Sequence, residues 1–97
     1  ENLLEKSFEI ADLICSTSAP VSLAMTRHML WSLSAEDDPE HAHIIESKLI
    51  DSRGVSADAK EGVMSFLEKR DAKFMNTISK DLPSDFPWRK SKFSDKN

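Results

Sequence analysis

Apolar residues fall at helical spacing along most of this chain, and capping or turn residues interrupt them often enough to predict a series of short helices. From Leu3 to Ser16, the residues Leu3, Leu4, Phe8, Ala11, Ile14 and Cys15 trace one stripe. Asn2 stands where an N-cap belongs, and Glu5, Lys6 and Asp12 fall mostly off the stripe. Ser16-Thr17-Ser18 closes the segment, because hydroxyl side chains compete for backbone hydrogen bonds. Pro20 opens a second helix reaching about Leu33, since the N–H it lacks is one that a helix start leaves unpaired. Val21, Ala24, Met25, His28, Met29 and Ser32 line one side of it. Leu23, Leu30 and Trp31 widen the apolar surface, which predicts contacts on two sides.

Asp37-Asp38-Pro39-Glu40 reads as the start of a third helix, with carboxylates near exposed N–H groups and proline where a helix accepts it. Gly54 supplies the stop. Ala42, Ile45 and Leu49, with Ile44 and Ser52 at its margin, form the stripe expected to be buried, and Lys48 and Arg53 sit toward the end that favours cations. A fourth helix is predicted from Ser56 as N-cap, through Asp58 and Glu61, to Lys69 and Arg70 in the last turn. Its apolar face is Ala59, Val63, Phe66 and Leu67. Gly62 in the interior costs about 1 kcal/mol relative to alanine, so close backbone approach by a neighbouring element is expected there. After Phe74 the pattern loosens into Pro83, Phe86-Pro87-Trp88 and the basic Arg89, Lys90 and Lys92, predicting an extended or partly disordered tail with its aromatics on a groove.

Composition narrows the class. Two glycines, no tyrosine, 39% hydrophobic residues and a mean hydropathy of -0.44 favour an all-α arrangement over a turn-rich sheet. A chain of 97 residues has a limited core of its own, so stability is expected to lean on a partner or on other copies. The net charge of -4 argues against broad attraction to nucleic acid or to an anionic membrane, and no apolar run reaches membrane-spanning length. Cys15 is the one cysteine, which fits a reducing compartment, and it reads as a small buried apolar side chain. There is no signal-peptide pattern, and a first residue of glutamate points to a truncated, processed or excised product.

The stretch Asp58 to Phe74, DAKEGVMSFLEKRDAKF, resembles the closing signature of the enoyl-CoA hydratase/isomerase (crotonase) superfamily, roughly D-x-x-E-G-x-x-A-F-x-E-K-R-x-P-x-F. Ser65 replaces the small residue and Ala72 the proline. Ala19 to Arg27, A-P-x-x-L-A-x-T-R, resembles the family's penultimate helices. The resemblance covers about Asn2 to Phe74. It implies that residues 1–74 are a carboxy-terminal helical, oligomerising region of about four helices, followed by the tail 75–97. Such a region is normally appended to a spiral α/β core that this sequence does not contain. The family's catalytic glutamates and oxyanion hole lie upstream of the signature.

The same resemblance implies a carrier-binding role for Phe66 and Lys69: the matching aromatic and lysine reach across a subunit boundary toward the adenine and ribose phosphate of coenzyme A. The physics is sensible, since a phenyl ring packs on a flat heterocycle and an ammonium meets a phosphate. Three apart on a helix, the pair is expected to share one face. The plainer alternative is a core phenylalanine beside a solvated lysine. Glu61 and Glu68 look like paired carboxylates for acid–base work, but they align with the closing signature, and surface ion pairing is the expected role of each. His41, His43 and Glu46 are too poorly aligned on a helix to hold a metal, and His28 reads as a satisfied interface or core histidine. The basic tail with Trp88 is diluted by Asp81, Asp85 and Asp95, which weakens a nucleic-acid reading.

The resemblance therefore implies a piece of an acyl-CoA enzyme of fatty acid metabolism, a lyase or isomerase when whole, and the cytoplasm is the expected location. No residue here is catalytic or metal-binding, and no covalently bound cofactor is expected, with coenzyme A thioester as substrate carrier. Its partners would be sister subunits in a homotrimer or a dimer of trimers. The rival from another class is a stand-alone, non-enzymatic helical interaction domain.

Overall fold

The structure, a computed structural model, describes residues 2–84 and Phe86. The described residues form an all-α arrangement with no strand. The helices are α1 (Leu3–Thr17), α2 (Pro20–Leu33), α3 (Pro39–Gly54), α4 (Ala57–Leu67) and a short α5 (Ile78–Asp81). The predicted starts are the observed starts where chemistry marks them. Pro20 and Pro39 are the first residues of α2 and α3. The Asp38 carboxylate accepts from the Glu40 N–H at 2.9 Å, and the Ser56 hydroxyl accepts from the Ala59 N–H at 3.1 Å. Gly54 is the last residue of α3, where the sequence placed the stop; its backbone is not left-handed, and the cap is Val55.

The core lies between α2 and α3. Val21, Met25, Ile45 and Leu49 are buried, and Met29, Leu33, Leu82 and Phe86 close around them. α5 leans on α2, and α4 on α3. This is a thin core for the chain's length, and the radius of gyration of 15.9 Å exceeds the roughly 13 Å of a compact 100-residue domain. Two expected faces are turned outward. α1 buries no residue, leaving Leu3, Leu4 and Phe8 exposed, and Cys15, expected to be buried, is exposed with them because nothing within the described residues covers that helix. The predicted apolar face of α4 is also outward: Val63 is 60%, Leu67 66% and Phe66 82% exposed. The buried residues of α4 are instead Asp58 and Ser65, because the chain returns along its polar side.

Gly62 lies on that inward side, half-buried. A Cβ placed on it would meet Phe74 Cε1 at 3.8 Å, an ordinary contact. Among the described residues, therefore, no backbone makes the close approach expected at Gly62, and their packing does not require a glycine there. Residues 75–84, within the predicted tail, include α5; the rest of that tail, apart from Phe86, lies outside the described residues, Trp88 and Phe93 among it. Phe86 meets the His28 ring edge-on, with centroids 5.0 Å apart, beside a groove of about 590 Å³ lined in part by Cys15, Leu23 and Arg27.

Candidate carrier-binding turn

The end of α4 is where the structure departs most informatively from the sequence reading. The helix stops at Leu67, with Glu68 as its cap, and Lys69 takes a left-handed backbone at φ 55°. The Arg70 N–H donates to the Ser65 carbonyl at 3.0 Å and the Lys69 N–H to the Phe66 carbonyl at 3.2 Å. These paired bonds, running six-to-one and five-to-two around a left-handed residue, make a Schellman turn. Glycine usually fills that position because a Cβ is strained there, and lysine fills it here. Phe66 and Lys69 therefore do not share a helical face. They are joined instead through the turn, with Phe66 on the final helical turn and Lys69 just beyond it, both exposed.

Two carboxylates one turn apart on α4 hold the chain that follows. One Asp58 oxygen accepts from the Met75 N–H at 2.8 Å and from the Asn76 N–H at 3.0 Å; the side chain is buried, and its second oxygen has no partner among the described residues. Glu61 takes the Arg70 guanidinium in two-pronged fashion, at 2.5 and 3.1 Å, and also accepts from the Lys73 N–H at 2.9 Å. The Arg70 hydrogen bond, then that backbone N–H, lower the Glu61 pKa from the usual 4.5 to about 2. Arg70 Nε also donates to Glu68 at 2.5 Å, and the two carboxylates push the guanidinium pKa further up. Glu61 and Glu68 thus serve as ion-pair partners, as the sequence suggested.

Farther along, Arg53 of α3 fastens the same return strand of chain. It donates to the Asn76 side-chain oxygen at 2.7 Å and to the Asp81 carbonyl at 3.2 Å. Nothing in the sequence distinguished Arg53 from a cation placed for the helix dipole, nor Asp58 from an ordinary first-turn acid; both reach residues 17 to 28 positions away. Among the described residues, His41, His43 and Glu46 do not form a group able to hold a metal, and no helix is long and apolar enough to cross a membrane.

No family model matches the chain. Three curated proteins do match it, all from Alternaria alternata. The chain is 39% identical over 75 residues to enoyl-CoA hydratase AKT3-2, 36% over 75 residues to enoyl-CoA hydratase AFT3-1, and 38% over 76 residues to enoyl-CoA hydratase ACTT3. The chain belongs to the enoyl-CoA hydratase/isomerase superfamily. Each match covers 77% of this chain and 25% of the relative, so the chain spans about a quarter of the length of the curated relatives it matches. The helical fold of the described residues agrees with the family's carboxy-terminal helical region, on which the signature from Asp58 to Phe74 falls.

Proposed function

We propose that this chain is the assembling and carrier-binding part of an enzyme acting on acyl-CoA thioesters, hydrating or isomerising an enoyl group when whole. The chain itself supplies no catalytic residue. Its outward apolar surface on α1 and α4 packs against sister subunits, and Phe66 with Lys69 completes a neighbour's coenzyme A site. One observation carries the carrier role: a phenyl ring 82% exposed stands at a helix end beside a lysine held in a conformation that glycine would adopt more easily. A bare phenyl is costly in water and suits a flat heterocycle, and a strained residue is maintained where surrounding structure over-determines it, often at a binding site. The ammonium, set just past the helix C-terminus, supplies the positive charge that this end of the dipole lacks.

Binding of coenzyme A to the full-length protein tests the role. Phe66→Ala and Lys69→Ala should each weaken it, by roughly tenfold for the loss of one charge-assisted contact in the lysine variant. Unchanged affinity in both would remove the assigned role. A mass measurement on the isolated chain separates the rival reading. Self-association follows from the exposed α1 and α4 faces, whereas a cooperative monomer indifferent to coenzyme A would favour a stand-alone interaction domain.

A further inference from the structure

Lys69 is held from both sides by a network that does not include its own side chain. In a short exposed turn, a lysine at φ 55° would relax toward the ordinary helical or extended regions unless its neighbours were fixed. They are fixed: Glu68 before it and Arg70 after it are joined to each other through the guanidinium, and Arg70 is clamped onto Glu61, nine residues back. Glu61 then takes the Lys73 N–H as well, so one carboxylate ties down the chain on the far side of the turn at two points.

The clamp has an electrostatic consequence. Glu61 and Glu68 are the carboxylates of this network, and Arg70 engages both. Among the described residues, the Lys69 ammonium forms no ion pair with a carboxylate. A guanidinium with its planar fork outcompetes an ammonium for a two-oxygen acceptor, so Arg70 keeps these acids from neutralising Lys69. Among the described residues no carboxylate neutralises the lysine, which leaves its charge for an external anion.

We propose that Glu61 is a positioning residue for Lys69. By locking Arg70 and the Lys73 backbone it fixes the left-handed turn and preserves the lysine's charge, and so sets affinity for the phosphate-bearing end of a coenzyme A ester that it does not touch. This inference rests on the carrier role proposed for Phe66 and Lys69, and goes beyond it by assigning the residue that makes Lys69 competent.

The test compares two enoyl thioesters in the full-length enzyme: the coenzyme A ester, and the N-acetylcysteamine ester of the same acyl chain, which lacks the adenosine phosphate. Lys69→Ala should lower kcat/KM for the coenzyme A ester about tenfold and leave the truncated ester unchanged. Glu61→Gln should produce a smaller loss of the same kind, on KM with kcat held, and again with no effect on the truncated ester. The double variant should be no worse than Lys69→Ala alone, because Glu61 acts through Lys69. Arg70→Lys, which keeps the charge but loses the two-pronged hold, should reproduce the Glu61→Gln pattern and stands in should that variant not fold. The inference is overturned if Glu61→Gln and Arg70→Lys weaken both esters equally, leave both unchanged, or add fully to Lys69→Ala. A silent Lys69→Ala would overturn the carrier reading itself, and the inference with it; a selective Lys69→Ala beside a silent Glu61→Gln would overturn only the positioning role.

Discussion

Removing the Asp58 carboxylate should release the chain that returns along α4 without unfolding the α2–α3 core. Asp58 accepts two backbone N–H bonds, from Met75 and Asn76, at 2.8 and 3.0 Å, while its own side chain is buried. Hydrogen bonds to an ionised acceptor contribute about 1.5–3 kcal/mol each. They are not additive here, and Met75 is 81% exposed, so its N–H finds water once freed. About 2–4 kcal/mol is therefore expected for Asp58→Ala, which is roughly a 30-fold to 1,000-fold change in a local opening equilibrium. Asp58→Asn keeps a carbonyl oxygen for the same N–H groups and loses mainly the charge in the first turn, so about 1 kcal/mol is expected. Native-state hydrogen exchange on the full-length protein, read by mass in peptides spanning 70–77 and in peptides from α2 and α3, measures both. The expected result is faster exchange confined to 70–77, larger for alanine than for asparagine. Exchange in 70–77 within threefold of wild type for Asp58→Ala, or acceleration spread equally over α2 and α3, would mean that Asp58 does not hold the returning chain.

Other outcomes follow from the same geometry. The Glu61 pKa is lowered to about 2 from an ordinary 4.5, so its contribution to stability is in place above pH 4.5 and is lost as pH falls toward 2. The thermal midpoints of wild type and Glu61→Gln should converge over that window, and a gap that stays constant across it would contradict the clamp. Lys69→Gly relieves the left-handed strain and should leave stability unchanged or raise it by about 1 kcal/mol, despite removing the ammonium, whereas Lys69→Ala retains the strain; chemical denaturation distinguishes them. Gly62→Ala should stabilise by about 0.5–1 kcal/mol, since among the described residues its Cβ would meet only Phe74, at 3.8 Å. A loss of assembly in that variant by mass measurement would mean that another subunit approaches this point. Arg53→Lys cannot bond both Asn76 and Asp81 in one plane and should cost about 1–3 kcal/mol, seen as earlier proteolysis around α5.

The helices were legible where local chemistry sets them: Pro20, Pro39, Asp38 and Ser56 act within a turn of where they stand, and periodicity carried the pattern between them. The burial of Ile45 and Leu49 followed from the same pattern, because α2 lies close enough to cover that stripe. The inside of α4 was not legible. Periodicity assigns Val63, Phe66 and Leu67 to a core, but which face is covered depends on a return of the chain at residues 70–76, guided by Asp58 and Glu61 through bonds spanning 9 to 18 positions. The turn at Lys69 was hidden for a related reason. A Schellman turn is read from its glycine, and without one the charge order of Glu68, Lys69 and Arg70 looks like a continuing helix. α1 gave a clear stripe and a correct helix, yet nothing among the described residues covers it, so burial of Phe8 and Cys15 could not follow from pattern alone.

Whether Lys69 meets the phosphate-bearing end of coenzyme A can be read from calorimetric titration of the full-length protein with coenzyme A and with 3′-dephospho-coenzyme A. Wild type should prefer coenzyme A by about tenfold, the worth of one charge-assisted contact, and Lys69→Ala should bind the two ligands with equal affinity. If Lys69→Ala keeps the full preference, the ribose phosphate is read elsewhere and Lys69 has no part in holding the carrier.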